Sequence, residues 1–239
     1  MIRSQLPECP EEQRGEIALR LAEIRRVIAS EAVKAGRSPD QIRLMAVTKT
    51  VDPGRVNEAL SGGADLLGEN RAQELREKFQ FYSCGREKIH FIGHLQTNKI
   101  RDIMKRAACV ESVDSVHLAQ ALETACREEE TCLSVFLQVN IGREPQKSGF
   151  LPEELPDAAK AIAQLEHLSL QGLMAIPPRG SGERYLREMA ELQSAMQQAA
   201  LPGADFTELS MGMSEDYGAA VRCGATIVRI GRAIFGERG

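Results

Sequence analysis

The sequence predicts a single-domain (β/α)8 barrel with an extra N-terminal helix. Three observations carry this. The chain has 239 residues, a usual length for one such barrel. Short apolar runs alternate with longer amphipathic ones along most of the chain, which is the pattern of βαβ units and a parallel sheet. The core must also be aliphatic, because 43% of residues are hydrophobic but only 4% aromatic, with no Trp. Aliphatic packing suits parallel strands covered on both faces.

From Glu11 to Ala35 the pattern is helical, with Ile17, Leu21, Ile24 and Ile28 three or four residues apart. Gly36 and Pro39 end it. Because this helix precedes every strand, it is expected to cover one end of the fold, as an extension over residues 1–38 ahead of a barrel over 40–236. The expected strands are Ile42–Thr48, Asp65–Gly68, Ile89–Ile92, Cys109–Val113, Ser134–Asn140, Leu168–Ala175, Phe206–Leu209 and Thr226–Ile230. Helical stretches between them include Pro53–Ser61, Gln96–Arg106, His117–Glu130, Pro152–Gln164 and Ser181–Ala199. Eight strands give the barrel count, although an open doubly wound sheet shares the local pattern. No repeat or linker marks a second domain.

The composition narrows the partners. Net charge is −4, from 30 basic and 34 acidic residues, mixed along the chain. Nucleic acid is disfavoured, since phosphate neutralisation needs a basic patch. The first ten residues lack the apolar segment of a secretory signal, and no apolar run approaches a membrane span. Cys9, Cys84, Cys109, Cys126, Cys132 and Cys223 show no framework spacing and read as reduced thiols. A cytoplasmic location is expected.

In such a barrel, function sits at the C-terminal ends of strands and in the loops that follow. Strand one runs Leu44-Met45-Ala46-Val47-Thr48 into Lys49. A lysine at the mouth of an apolar barrel is partly desolvated, which lowers its pKa and exposes a nucleophilic amine suited to Schiff-base formation. The alternative for this residue alone is an ordinary surface lysine. Strand two ends Gly68-Glu69-Asn70; Asn70 could hydrogen-bond a ligand and Glu69 could orient a base, or both could be turn residues. His90 and His94 flank Phe-Ile-Gly, which reads as strand and separates them by ~13 Å, so a metal centre is not expected. Asn140 and Lys147 could face the mouth from the loop after strand five.

The last two loops are the most telling. Leu209-Ser210-Met211-Gly212-Met213-Ser214 follows strand seven, and Val228-Arg229-Ile230-Gly231-Arg232 spans the end of strand eight. Barrels of this kind often bind phosphate between these two loops. Ser210, Gly212, Ser214 and Gly231 offer small residues and backbone N–H groups, and Arg229 is expected to point into the same mouth.

At these residues the sequence resembles the pyridoxal phosphate homeostasis proteins, the YggS/PROSC group. The segments that carry the resemblance are Ala46–Thr50, Gly68–Asn70, His90–Lys99, Lys147–Gly149, Gly172–Ile176, Leu209–Ser214 and Val228–Gly231, in the family's order from about Leu44 to Phe235. The resemblance implies an alanine-racemase-like barrel without the second domain, holding pyridoxal 5′-phosphate (PLP) as a Schiff base on Lys49. It also implies that Arg229 meets the pyridine nitrogen, that Ser210, Met211, Gly231 and Arg232 surround the phosphate, and that Asn70 lines the ring. Two positions depart from the family. Val51 stands where many members have a second lysine, and Arg232 stands where many have threonine.

An arginine beside the pyridine nitrogen disfavours its protonation and makes the ring a poorer electron sink. Barrel-type racemases add a tyrosine base from another domain, whereas this chain has only Tyr82, Tyr185 and Tyr217. The expectation is therefore a cofactor reservoir or carrier that supplies PLP to apo-enzymes and acts as a monomer. The competing readings are a weak PLP-dependent amino-acid racemase or lyase, and an aldolase-like barrel using Lys49 on a sugar phosphate.

Overall fold

A computed structural model describes residues 15–178, 180 and 182–236. Eight parallel strands close into one barrel in chain order, with β8 pairing β1. They are β1 Arg43–Val47, β2 Leu66–Glu69, β3 Ile89–Phe91, β4 Cys109–Val113, β5 Leu133–Val139, β6 Leu168–Ala175, β7 Ala204–Ser210 and β8 Ile227–Ile230. The helices among the described residues are α1 Glu16–Lys34, α2 Pro53–Ser61, α3 Ala72–Lys78, α4 Ile100–Met104, α5 Val116–Glu128, α6 Leu155–Ile162, α7 Arg184–Gln198, α8 Tyr217–Arg222 and α9 Arg232–Phe235. None is long and apolar enough to cross a membrane. The five described cysteines are free thiols; Cys9, the expected helix start at Glu11 and the expected start of α7 at Ser181 lie outside the described residues.

Local chemistry sets several boundaries. Asp52 caps α2 by accepting from Gly54 N–H, ahead of Pro53 in the first turn. Ser115 caps α5 in the same way through Leu118 N–H. Two expected helices prove shorter. Thr97–Lys99 forms a 3-10 turn before α4, and α6 begins only at Leu155, after a turn closed by Glu154 N–H on the Leu151 carbonyl.

The N-terminal helix differs from expectation in its place. Rather than covering an end, α1 lies in the outer helical layer against α2, α8 and α9, burying Ile17, Leu21, Ile24, Ile28 and Ala32. Beyond it, Arg37 donates to the carbonyls of Val221 and Ala225. The reason lies in the brevity of α8, six residues long, which leaves room between it and α2 for α1.

Strand alternation divides the core in two. Outward residues such as Leu44, Ala46, Leu67 and Val228 join the layer between strands and helices. Inward residues Met45, Leu66, Ile92, Cys109, Phe136, Met174 and Ile227 fill the barrel itself. β6 approaches β7 closely at Gly172, where an added Cβ would overlap the carbonyl of Glu208. Gly172→Ala is expected to destabilise the fold by about 1–3 kcal/mol, since backbone must move to admit the methyl group. A urea midpoint equal to that of the native chain would contradict this.

Candidate functional site

Above the apolar plug the barrel opens at the C-terminal ends of its strands into a cavity of about 720 Å³. Its walls include Val47, Lys49, Ser214, Arg229, Gly231 and Arg232. Five sequence-predicted residues, Lys49, Ser214, Arg229, Gly231 and Arg232, therefore meet in one place.

Lys49 reaches the cavity because Met45 and Val47 set the inward register of β1, which Lys49 continues. Its neighbours are clamped on the far side of the sheet. The Thr48 hydroxyl donates to Glu69 Oε1 at 2.6 Å, and Tyr82 donates to the same oxygen. Thr50 takes a left-handed backbone, φ 62°, and its N–H donates to Glu74 Oε2 at 2.8 Å. Glu74 also pairs with Lys78 and Arg71. Partial burial disfavours its charge, but Lys78, the Thr50 amide and Arg71 outweigh that and hold its carboxyl below the usual value. Glu69 is the opposite case: burial pushes its carboxyl up despite the Thr48 and Tyr82 hydrogen bonds. It lies behind the sheet rather than at the mouth.

Asn70 continues the inward register of Leu66 and Gly68. Its Oδ1 is buried without a hydrogen-bond partner among the described residues, and Asn70 is not among the cavity walls. Gly93 packs onto the Asn70 backbone so closely that no side chain fits there.

Arg229 is 4% exposed and forms the floor of the cavity. Nη1 donates to Ser210 Oγ at 2.7 Å and Nη2 to the Ala175 carbonyl at 2.7 Å. Ser210 in turn donates to Glu111 Oε2 at 2.6 Å, and Glu111 Oε1 meets His90 Nδ1 at 2.6 Å. Burial disfavours the Glu111 charge, yet His90, Arg229 and Ser210 together hold its carboxyl below the ordinary value. Burial depresses the Arg229 guanidinium, with Glu111 and Asp216 opposing.

Other predicted residues land elsewhere. Ser210 is fully buried within this hydrogen-bonded chain, beneath Arg229 rather than in the phosphate loop. Met211 sends its side chain into the helical-layer core, and its N–H donates to the Ile227 carbonyl. The structure therefore places neither among the cavity walls. Ser214 takes the loop position, accepting from Ala233 N–H at 3.3 Å. Arg232 pairs with Glu215 across the rim. Gly212, φ 88°, lets the loop pass over Ala220, where a Cβ would collide. Asn140 braces the loop after β5 by donating to the carbonyls of Glu144 and Lys147, while Lys147 pairs with Glu144. The two histidines part company: His90 is buried against Glu111, whereas His94 is exposed beside Asp114. Val51, at the departing position, is 8% exposed and belongs to the helical-layer core.

Sequence reasoning missed Glu111. Its one signal was a lone carboxylate inside the apolar strand Cys109-Val110-Glu111-Ser112-Val113, two residues from inward Cys109.

The barrel and its lysine–arginine mouth define a class, the alanine racemase N-terminal domain, whose family model matches residues 21–239. A pyridoxal phosphate homeostasis protein of Escherichia coli (strain K12) is 40% identical over 232 residues, covering 94% of this chain and 97% of that one. A protein of the same name from Pseudomonas aeruginosa is 41% identical over 223 residues, covering 93% and 96%. The chain belongs to the pyridoxal phosphate homeostasis protein family. Among solved structures, PipY of Synechococcus elongatus PCC7942 with PLP bound superposes with a TM-score of 0.79 at 32% identity, over 92% of this chain and 100% of that one. An alanine racemase from Clostridium difficile 630 shares the fold, with a TM-score of 0.70 at 17% identity, but this chain covers only 57% of it.

Proposed function

We propose that this chain binds PLP in the barrel mouth, joined to Nζ of Lys49 by a Schiff base, and serves as a cytoplasmic reservoir. The observation that carries the reading is the convergence of Lys49 and Arg229 on one cavity from adjacent strands. The arginine sits deeper, in register with Met45, two inward positions below Lys49. The residues present fit the cofactor: an amine for its aldehyde, a guanidinium for its ring nitrogen, and small residues with Arg232 for its phosphate. Relatives named for PLP homeostasis and the PLP-bound PipY structure support the same ligand. When bound, the group supplies an electrophilic carbon and an electron-withdrawing ring.

The chain's own residues favour holding over turnover. Arg229 is a donor that stays charged, so it receives no proton from the ring and hands none over. The tyrosines stand apart from the described cavity walls: Tyr82 is tied to Glu69 behind the sheet, Tyr185 packs beside Arg184, and Tyr217 leans on the outer core. The reservoir is a monomer, and apo-enzymes that use PLP are its recipients.

The test is the visible spectrum of the purified full-length chain before and after borohydride, with peptide mapping. A yellow band that reduction fixes onto the Lys49 peptide is the expected outcome. A protein left colourless by added PLP would sink the proposal.

A further inference from the structure

Beneath the cavity, polar side chains from β3, β4, β7 and β8 form one chain across the barrel interior: His90, Glu111, Ser210 and Arg229. Stability alone does not explain it, because well-packed apolar residues commonly replace buried ionic groups with no loss of stability. Its polarity is fixed by chemistry. An ionised carboxylate only accepts and a guanidinium only donates. The single Ser210 hydrogen therefore goes to Glu111, and an oxygen lone pair is left facing Arg229.

We propose that Glu111 is a positioning residue for the pyridine ring: acting through Ser210, it fixes where the Arg229 guanidinium presents its donors at the cavity floor. The inference rests on the reading that PLP is the ligand. Nη1 on Ser210 and Nη2 on the Ala175 carbonyl set the guanidinium plane between two anchors. Only the first answers to a charge. With glutamine at position 111, an amide N–H₂ can face Ser210 and claim the lone pair that now receives Arg229. The guanidinium then keeps its charge but loses one of its two anchors.

The experiment compares full-length native chain, Glu111→Gln and Ser210→Ala, each titrated with PLP and with the analogue whose ring nitrogen is replaced by C–H. The native chain is expected to prefer PLP by about tenfold, the worth of one charge-assisted hydrogen bond. In both variants that preference, read as the ratio of the two affinities, is expected to fall towards parity. A simple packing role would weaken both ligands alike and leave the ratio intact, and that result overturns the proposal. If Glu111→Gln fails to fold, Ser210→Ala decides, since Glu111 and His90 remain in place. Failure of the native chain to bind PLP would remove the parent reading as well. Native binding without discrimination would overturn only the Arg229 contact and the Glu111 role.

Discussion

Lys49→Ala is expected to leave no borohydride-fixed adduct and to weaken retention of PLP by roughly 10²- to 10⁴-fold, the advantage that a tethered second contact gives over a free one. Two anchors hold the ligand in the proposed site, the Nζ linkage and the ring and phosphate contacts. Removing the linkage leaves the second set to act alone. The fold is expected to survive. Lys49 is only partly buried, and the clamps on either side of it belong to other groups, Thr48 on Glu69 and Thr50 on Glu74. Equilibrium dialysis of native and variant chains, with circular dichroism as the folding control, measures both quantities. An alanine variant that keeps the yellow band and native retention would move the linkage to another amine.

Glu111→Leu is expected to cost about 3–5 kcal/mol at neutral pH, because it leaves Arg229 buried without its counter-charge. Leucine fills much of the same space, so the loss reports charge rather than volume. The acid dependence has a definite sign. The folded-state pKa of Glu111 lies below the ordinary 4.5. Its stabilisation is therefore complete above 4.5 and is lost as pH falls through the folded value. The native chain should then shed stability on acidification through this group and the leucine variant should not, so the gap between them narrows. Urea unfolding at neutral and acid pH reads it. A gap as wide in acid as at neutral pH would show that the carboxylate charge is not the source.

Much of the barrel was legible because its strands are short apolar runs flanked by amphipathic helices. β4 and β6 fall where the pattern put them. β7 starts two residues early, at Ala204, because exposed Asp205 and Thr207 interrupt the apolar run around Phe206. The mouth was legible where a residue lies near the C-terminal end of a strand, as with Lys49, two residues past β1, and Arg229, the last but one of β8, both of which line the cavity. Ser210 has the right residue type for a phosphate loop, yet it is the last residue of β7 and faces inward, a difference of one position. Glu111 and His90 stayed hidden for a deeper reason. They gain meaning only when β3 and β4 face β7 and β8 across a closed ring, and no local window of sequence contains that closure. The lateral seat of α1 escaped for a similar cause, since it depends on how short α8 turns out to be.

The apolar plug of Met45, Leu66, Ile92, Cys109, Phe136, Met174 and Ile227 turns the barrel into a vessel with a sealed bottom. Further from the mouth, where β1 begins, Arg43 pairs with Glu208. Among the described residues the bore opens at one end, so whatever enters past Lys49 departs by the same threshold. Any receiver that takes cargo by direct transfer must stand at that doorway while the cargo leaves.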